Sequence, residues 1–242
     1  MPAEESQTTP IQNPSSGIEE GILLSNSSRA VIFANGEMEN SAAVREIILP
    51  NDTVIAADGG AQYCILLGIT PDVLIGDFDS IADAALTEFR QAGTQIIQHP
   101  ARKDFTDLEL ALQYASSIGA GEILVLGALG ARWDQTLANL LLAASERFRG
   151  VDIKLIDGAQ EIILVREAMA NKITGKPGDI VSLIPLSDCV QGISTEGLEY
   201  PLNDEPLLFG ATRGISNVLL DRSATITLKQ GALLCVIIHG KS

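Results

Sequence analysis

The sequence is poor in cysteine, histidine and aromatic residues. Its three cysteines, Cys64, Cys189 and Cys235, are scattered over 242 residues and show no CxxC spacing. Such usage is typical of reduced thiols and not of a disulfide framework or a cysteine-based metal site, so it predicts a cytoplasmic protein. With only two histidines, no Ser/His/Asp or Cys/His catalytic set is apparent.

Basic residues and long apolar runs are also scarce. The sequence has 16 Lys and Arg residues and 31 Asp and Glu residues, so its formal net charge is −15. That surface repels polyphosphate backbones, which argues against general nucleic-acid binding. No apolar run nears the ~20 residues of a membrane span, and no basic-then-apolar signal opens the chain. We therefore predict neither nucleic acid nor membrane as a partner. A bound nucleotide would need cations to offset the local repulsion.

Strand and helix signals alternate through the first part of the chain. Residues 1–28 are rich in Ser, Pro, Gln, Asn and Glu and are predicted to form a disordered tail. Residues 29–157 carry continuous Val/Ile/Leu runs, which are typical of strands buried on both faces, and predict an α/β domain with a three-layer parallel sheet. The predicted strands are 30–34, 53–57, 73–75, 95–98, 122–126 and 153–156, and the predicted helices are 41–49, 61–67, 82–92, 106–118 and 132–148.

The pattern changes in residues 158–242. Short strand candidates separated by Gly and Pro turns follow one another without a convincing helix between them. This pattern predicts a C-terminal antiparallel β-sandwich domain. The predicted strands are 162–165, 172–174, 180–185, 198–202, 224–228 and 233–238.

Acidic residues recur directly after the predicted parallel strands. Asp58 follows the second strand, Asp77 and Asp79 the third, Asp104 the fourth and Asp134 the fifth. Each alone could belong to a turn or cap a helix. Because these loops open on one edge of a parallel sheet, the acids are expected to converge there and to repel one another. A divalent cation would remove that repulsion and orient a phosphate, so we predict a Mg²⁺ site.

Three basic residues accompany these acids: Arg102, Lys103 and Arg132. Lys103 precedes Asp104, and Arg132 follows the glycine-bearing turn at 127–130 and opens a predicted helix, a position suited to an anion. Thr106 and Glu109 have capping-box spacing, with Thr106 as N-cap and Glu109 reaching back. There is no GxxxxGK(S/T) and no GxGxxG with a following acid, so neither a P-loop enzyme nor a dinucleotide oxidoreductase is indicated.

A small, polar, glycine-bearing stretch lies late in the chain, at residues 210–217. It includes Thr212, Ser216 and Asn217. It could be only a turn, or it could recognise a flat polar heterocycle through its short hydrogen-bonding side chains.

Together these motifs resemble the thiamine pyrophosphokinase (thiamine diphosphokinase) family. That family carries Asp-Gly-Gly, Gly-Asp-Phe-Asp-Ser, Lys-Asp followed by Thr-Asp-x-Glu, Gly-Gly-Arg-x-Asp, and a late Ser-Asn. They stand here, in order, at residues 58–60, 76–80, 103–109, 130–134 and 216–217. The resemblance runs from about residue 30 to the C-terminus. Ala131 replaces the usual second glycine, and Gln135 stands where many members have His.

The resemblance implies transfer of the pyrophosphoryl group of ATP to the hydroxyl of thiamine, giving thiamine diphosphate and AMP. It also implies a homodimer with active sites at the subunit interface. In such an enzyme Mg²⁺ would be held on the triphosphate by three carboxylates, those of Asp77, Asp79 and Asp104, with that of Asp58 in or beside the set. Lys103 and Arg132 would neutralise the departing charge.

Thiamine contacts follow from the same resemblance. Asp134 would touch thiamine or orient its hydroxyl, and Ser216 and Asn217 would bond its aminopyrimidine. Gln135 and Thr212 are further candidate ligand contacts. Three alternatives stay open at this point: a pyrophosphokinase acting on another heterocyclic alcohol such as a pterin, a Mg²⁺-dependent nucleotide hydrolase, and a catalytically silent binding protein.

Overall fold

The structure, a computed structural model, describes residues 28–38, 41–130, 132–167 and 171–240. Of the tail predicted at 1–28, only Ser28 is among them, and it begins the first strand. The substitution noted at Ala131 lies outside the described residues.

Five helices and fourteen strands are formed by the described residues. The helices are α1 (Ser41–Ile47), α2 (Ala61–Leu67), α3 (Asp83–Gln91), α4 (Asp107–Ser117) and α5 (Trp133–Ala143), with 3₁₀ turns at Asp58–Gly60 and Glu146–Phe148. The strands are β1 (Ser28–Phe33), β2 (Thr53–Ala57), β3 (Val73–Gly76), β4 (Gln95–Gln98), β5 (Ala120–Leu126), β6 (Asp152–Asp157), β7 (Gln160–Arg166), β8 (Asn171–Thr174), β9 (Ile180–Pro185), β10 (Cys189–Glu196), β11 (Glu205–Leu208), β12 (Asn217–Val218), β13 (Ser223–Thr227) and β14 (Ala232–Ile238).

The first six strands form the parallel part of a sheet in the order β6-β5-β1-β2-β3-β4. Alternate residues of β1 enter different cores: Ala30 and Ile32 pack with residues of α4, whereas Val31 and Phe33 pack with residues of α1, α2 and α3. Every β1 position from Ala30 onward is buried, so the apolar run has no solvent face. The predicted three-layer α/β architecture is confirmed.

The same sheet continues past β6 as an antiparallel part in the order β7-β14-β9-β12. A second, antiparallel sheet, β11-β10-β13-β8, packs against it through a separate apolar core that includes Val165, Ile193 and Cys235. This confirms the predicted antiparallel sandwich. The change from parallel to antiparallel occurs at the β6–β7 hairpin, and a division into domains at residue 157 stays a prediction.

Some predicted elements are wrong or incomplete. Residues 198–202 form no strand: Leu198 makes one isolated bridge to Leu219, and both backbone groups of Tyr200 bond the Asn217 side chain. Pro201 has no N–H to offer a ladder. Three strands were missed, namely β10, β11 and β12. The helix predicted over 132–148 ends at Ala143, and a 3₁₀ turn covers its last residues.

The order of the parallel strands creates a switch point between β1 and β5. From β1 the chain proceeds outward through β2, β3 and β4, and then crosses to β5 and β6 on the other side. Such a switch point has a crevice at the carboxyl edge of the sheet, where open α/β sheets bind ligands. The loops after β1 and β5 run side by side at its base, where the Gly36 N–H donates to the Gly127 carbonyl at 2.6 Å. Gly36 permits this close approach, since a Cβ there would lie 2.4 Å from the Leu129 carbonyl oxygen.

Within the described ranges, no helix combines the length and the apolar character that a membrane crossing requires.

Candidate active site

A cavity of about 540 Å³ occupies the crevice between β1 and β5. The loop after β1, the 3₁₀ turn after β2, the start of α4 and the start of α5 form its walls. Its lining residues that carry side-chain polar atoms are Asn35, Glu37, Asp58, Tyr63, Thr106, Asp107, Arg132, Gln135, Thr136 and Asn139. The volume lies in the range of small-molecule sites.

Three carboxylates meet at the edge of this cavity. Oxygen atoms of Asp58, Asp77 and Asp79 all lie within 4.8 Å of one another, with Asp58 the most enclosed and Asp79 the most exposed. Hard oxygen donors at this spacing suit a divalent cation such as Mg²⁺. These are three of the four residues predicted as metal ligands.

Hydrogen bonds fix the loop after β3 to the turn after β2. The Phe78 N–H donates to Asp58 Oδ1 at 3.3 Å, and Ser80 Oγ donates to Asp58 Oδ2 at 3.0 Å. Phe78 adopts φ 67° and Asp58 φ 43°, left-handed conformations that cost free energy in residues other than glycine. The buried Phe78 side chain packs into the core with α1, α2 and α3. The core therefore holds the strained loop in place.

Gly76 allows the two segments to approach so closely. A Cβ at this position would lie 2.9 Å from the Asp58 Cβ and 3.0 Å from its Cα. Any other residue would therefore push the loop carrying Asp77 and Asp79 away from Asp58.

The neighbouring carboxylates make the ionisation of Asp79 less favourable. The pKa of Asp79 is raised, mainly by the neighbouring Asp77 carboxylate, with smaller contributions from partial desolvation and from Asp58 and Asp107. A raised pKa in an acid means that the folded protein resists its ionisation. A bound cation would reverse this effect, because it stabilises the charged form.

The loop between β4 and α4 places its two acids differently. Asp107, at the first position of α4, lines the cavity and acts electrostatically on Asp79. Asp104 is exposed and is not part of the carboxylate group formed by Asp58, Asp77 and Asp79. Lys103 Nζ lies 2.6 Å from Asp107 Oδ1, and its side chain is only 13% exposed. Of these two acids, Asp107 therefore acts on the cluster, whereas Asp104 lies outside it.

Arg132 and Asp134 form an exposed ion pair at the start of α5. Arg132 Nη2 lies 2.6 Å from Asp134 Oδ2, and Nε lies 3.2 Å from Oδ1. The hydrogen bond from Arg132 lowers the pKa of Asp134. Arg132 and Gln135 line the cavity, whereas Asp134 is not among its lining residues. Asp134 therefore contacts Arg132, a lining residue, without lining the cavity itself.

Thr212, Ser216 and Asn217 lie in and before β12 and are not among the cavity's lining residues. The Ser216 N–H donates to Ser182 Oγ at 3.0 Å. The Asn217 side chain donates to the Tyr200 carbonyl at 2.8 Å and accepts from the Tyr200 N–H at 3.0 Å. Asn217 thus connects the start of β12 to the loop that contains Tyr200.

Several polar cavity residues were missed from the sequence. Asn35 and Glu37 follow β1 at the same edge as the acids, so their position after an apolar run was the available signal. Tyr63 donates to the Gly36 carbonyl, and Asn139 donates to the Ala128 carbonyl at 2.6 Å. These two side chains tie the cavity's helices to the loops after β1 and β5.

Comparison with known proteins gives concordant matches along the chain. The family model described as thiamin pyrophosphokinase, catalytic domain, matches residues 44–155, and the model described as thiamin pyrophosphokinase, vitamin B1 binding domain, matches residues 165–233. A curated relative, the thiamine pyrophosphokinase of Bacillus subtilis (strain 168), is 30% identical over 182 residues, which cover 75% of this chain and 85% of the relative. Thiamine pyrophosphokinase 1 of Oryza sativa subsp. japonica is 28% identical and covers 72% of this chain and 74% of its own length.

Solved structures agree with these matches. The crystal structure of thiamine pyrophosphokinase from Bacillus subtilis superimposes with a TM-score of 0.79 at 26% identity, covering 88% of this chain and all of that one (100%). The thiamin pyrophosphokinase structure from Geobacillus thermodenitrificans gives a TM-score of 0.76 at 25% identity, covering 88% and 99% of the two chains.

Proposed function

Because the chain belongs to the thiamine pyrophosphokinase family, we propose that it transfers the pyrophosphoryl group of ATP to the hydroxyl of thiamine, giving thiamine diphosphate and AMP. The observation that carries this proposal is the group of three carboxylates within 4.8 Å at the switch-point edge of the parallel sheet. A cation would relieve the repulsion between these acids, and a cation beside the cavity suits a triphosphate.

Mg²⁺ is the proposed metal, since the donors are all carboxylate oxygens. When bound, it would neutralise triphosphate charge during transfer. Asp77 and Asp79 would hold it, with Asp58 either sharing in the ligation or fixing the loop through its bonds to Phe78 and Ser80. Asp104 stays a proposed ligand. Asp104 is exposed and outside the carboxylate group, so its side chain would have to turn toward the cluster, whereas Asp107 already acts electrostatically on Asp79.

The basic side chains of the site would stabilise negative charge on the phosphates. Arg132 lines the cavity at the N-terminal end of α5, and Lys103 is largely enclosed beside Asp107. Because transfer of this kind depends on positioning and charge neutralisation, these two side chains would contribute chiefly by binding the triphosphate and its departing part. Asp134 would keep Arg132 oriented through their paired hydrogen bonds.

A homodimer is proposed for the complete site. Trp133, Leu137 and Leu141 are at least half exposed and, four residues apart, share one face of α5 next to Arg132. The sandwich exposes Phe209 and Ile215 around the predicted thiamine contacts. A second copy would cover both apolar surfaces and would bring Thr212, Ser216 and Asn217 of one subunit to the cavity of the other. Sedimentation equilibrium should then give twice the subunit mass.

A cytoplasmic location is likewise proposed, because all three cysteines are free thiols. Burial raises the pKa of both Cys64 and Cys235 to about 12, which keeps them as unreactive thiols. Cell fractionation would test the location.

One assay tests the reaction. Purified protein is incubated with ATP and Mg²⁺, alone, with thiamine, or with a pterin alcohol, and the products are separated. We expect AMP and thiamine diphosphate in equal amounts with thiamine, and little AMP in the other two incubations. Release of AMP without an acceptor would indicate a hydrolase. A diphosphorylated pterin would show that the acceptor is a pterin and not thiamine. If no incubation gave AMP, the protein would be a binding protein without this activity.

A further inference from the structure

The loop between β4 and α4, residues 99–106, carries a proposed triphosphate contact, Lys103, and a proposed metal ligand, Asp104, and is mostly exposed. Its ends are fixed by neighbouring elements. The His99 N–H donates to the Gly76 carbonyl at 2.9 Å, and Thr106 caps α4 by accepting from the Glu109 N–H at 3.2 Å. Between these ends Lys103 bonds Asp107 of α4, and the remaining, mostly exposed residues of the loop would sample many conformations without a further contact.

Arg147 contacts this loop from a distant part of the chain. It belongs to the 3₁₀ turn after α5, and its guanidinium carbon lies 5.7 Å from the centre of the Phe105 ring. The same guanidinium bonds the Glu109 carboxylate, 38 residues away in sequence. Glu109 therefore does not complete the capping box predicted from the sequence. Its carboxylate faces Arg147 and Gln113 instead.

We propose that Arg147 is a positioning residue for ATP binding: by holding Phe105 and Glu109 together it keeps the 99–106 loop in the conformation that presents Lys103 to the triphosphate. This inference rests on the proposed function, which assigns the loop to ATP. A loop ordered in advance spares the ligand the entropic cost of ordering it, so losing Arg147 should weaken ATP binding. Arginine suits both contacts because its planar group can stack on a ring and still bond a carboxylate.

Arg149 offers a matched control. Both arginine side chains are 56% exposed and both form ion pairs, but Arg149 pairs with Glu146 and Glu167, away from the loop. Replacing either removes one exposed cation and a comparable set of surface interactions. Only the Arg147 substitution removes a contact with the 99–106 loop.

The experiment compares Arg147→Met, Arg147→Lys and Arg149→Met with the wild type. Calorimetry gives the Kd of Mg-ATP, kinetics give kcat and the KM of ATP and of thiamine, and thermal melting reports stability. We expect Arg147→Met to raise both the Kd and the KM of ATP about fivefold to tenfold, as suits a half-exposed ion pair combined with a cation–π contact. The thiamine KM should stay within about twofold, and Arg147→Lys should recover part of the ATP affinity.

Unchanged ATP affinity in Arg147→Met would overturn the proposal, and so would an equal loss in Arg149→Met. A loss that follows a lowered melting temperature and affects both substrates alike would also overturn it, since that is a general structural effect. Phe105→Leu, which removes the ring and leaves Arg147 in place, should weaken ATP binding in the same direction. If the wild type makes no thiamine diphosphate but Arg147→Met still weakens Mg-ATP binding, the proposed reaction fails while the positioning role stands.

Discussion

Two regions of the molecule shift the pKa of a carboxylate in opposite directions. In the sandwich, Asp179 is only 2% exposed, and it accepts hydrogen bonds from the Lys176 and Gly240 N–H groups and from His239. Burial acts to raise its pKa, but these donors outweigh burial and lower the pKa to about 2. At the carboxyl edge of the parallel sheet, the exposed Asp79 has a raised pKa because Asp77 stands beside it.

The difference shows what each acid is for. Around Asp179 the fold supplies donors, so its charge stabilises the folded state. Around Asp79 the fold supplies further acids, so its charge costs stability when no cation is bound. The closeness of the three carboxylates, together with the left-handed backbone at Asp58 and Phe78, supports the proposed cation site.

The largest expected effect comes from removing one acid of the cluster. Asp79→Asn should lower turnover about 100-fold or more, since several kcal/mol of charge stabilisation depend on the bound metal. Stability should be unchanged or slightly higher, because a repulsive charge is lost. Steady-state assays at saturating Mg²⁺ and denaturant titration measure the two effects.

Asp83→Asn is the control for this variant. Asp83 is exposed in the first turn of α3, shortly after the cluster, and is not one of its three members. Its replacement should leave turnover near normal. Turnover of Asp79→Asn close to the wild type would contradict the metal assignment.

Replacing the buried Asp179 of the sandwich should affect stability and not turnover. Asp179→Asn should lower the free energy of unfolding by about 2–3 kcal/mol, because a buried acceptor loses its charge and part of its hydrogen bonding. Turnover per folded molecule should not change, since Asp179 is not among the lining residues of the cavity. Urea titration measures the loss, with Asp188→Asn, an exposed acid of the same sandwich, as the control.

The pH dependence of this loss has a definite sign. Because the folded pKa of Asp179 is about 2, below its ordinary value of 3.8, its contribution is present above about pH 4 and is lost as pH falls toward 2. The difference between wild type and Asp179→Asn should therefore shrink over that window. A difference that stayed constant down to pH 2 would mean that the charge of Asp179 is not its source.

The sequence was a good guide wherever the structure depends on local pattern. The buried run at β3 fixed the position of Asp77 and Asp79 at the sheet edge, and parallel pairing brought Asp58 to them. The sandwich was harder to predict, because the 198–202 segment is organised by Asn217, a partner 17 residues away. The proximity of Asp107 to the cluster likewise depends on how α4 packs. No spacing in the sequence encodes that.

The smallest expected effect is the response of the folded protein to Mg²⁺ alone. Free Mg²⁺ at ten times its own Kd would stabilise the folded state by about 1.4 kcal/mol and raise the melting temperature by roughly 3–5 °C. Since the pKa of Asp79 in the folded protein is raised, ionisation of Asp79 lowers stability as the pH rises through that pKa. Mg²⁺ should therefore restore more stability at pH 7 than at pH 4. Melting curves with Mg²⁺ or with chelator at both pH values measure this. Asp179→Asn should respond as the wild type does, and an equal response from Asp79→Asn would place the cation elsewhere.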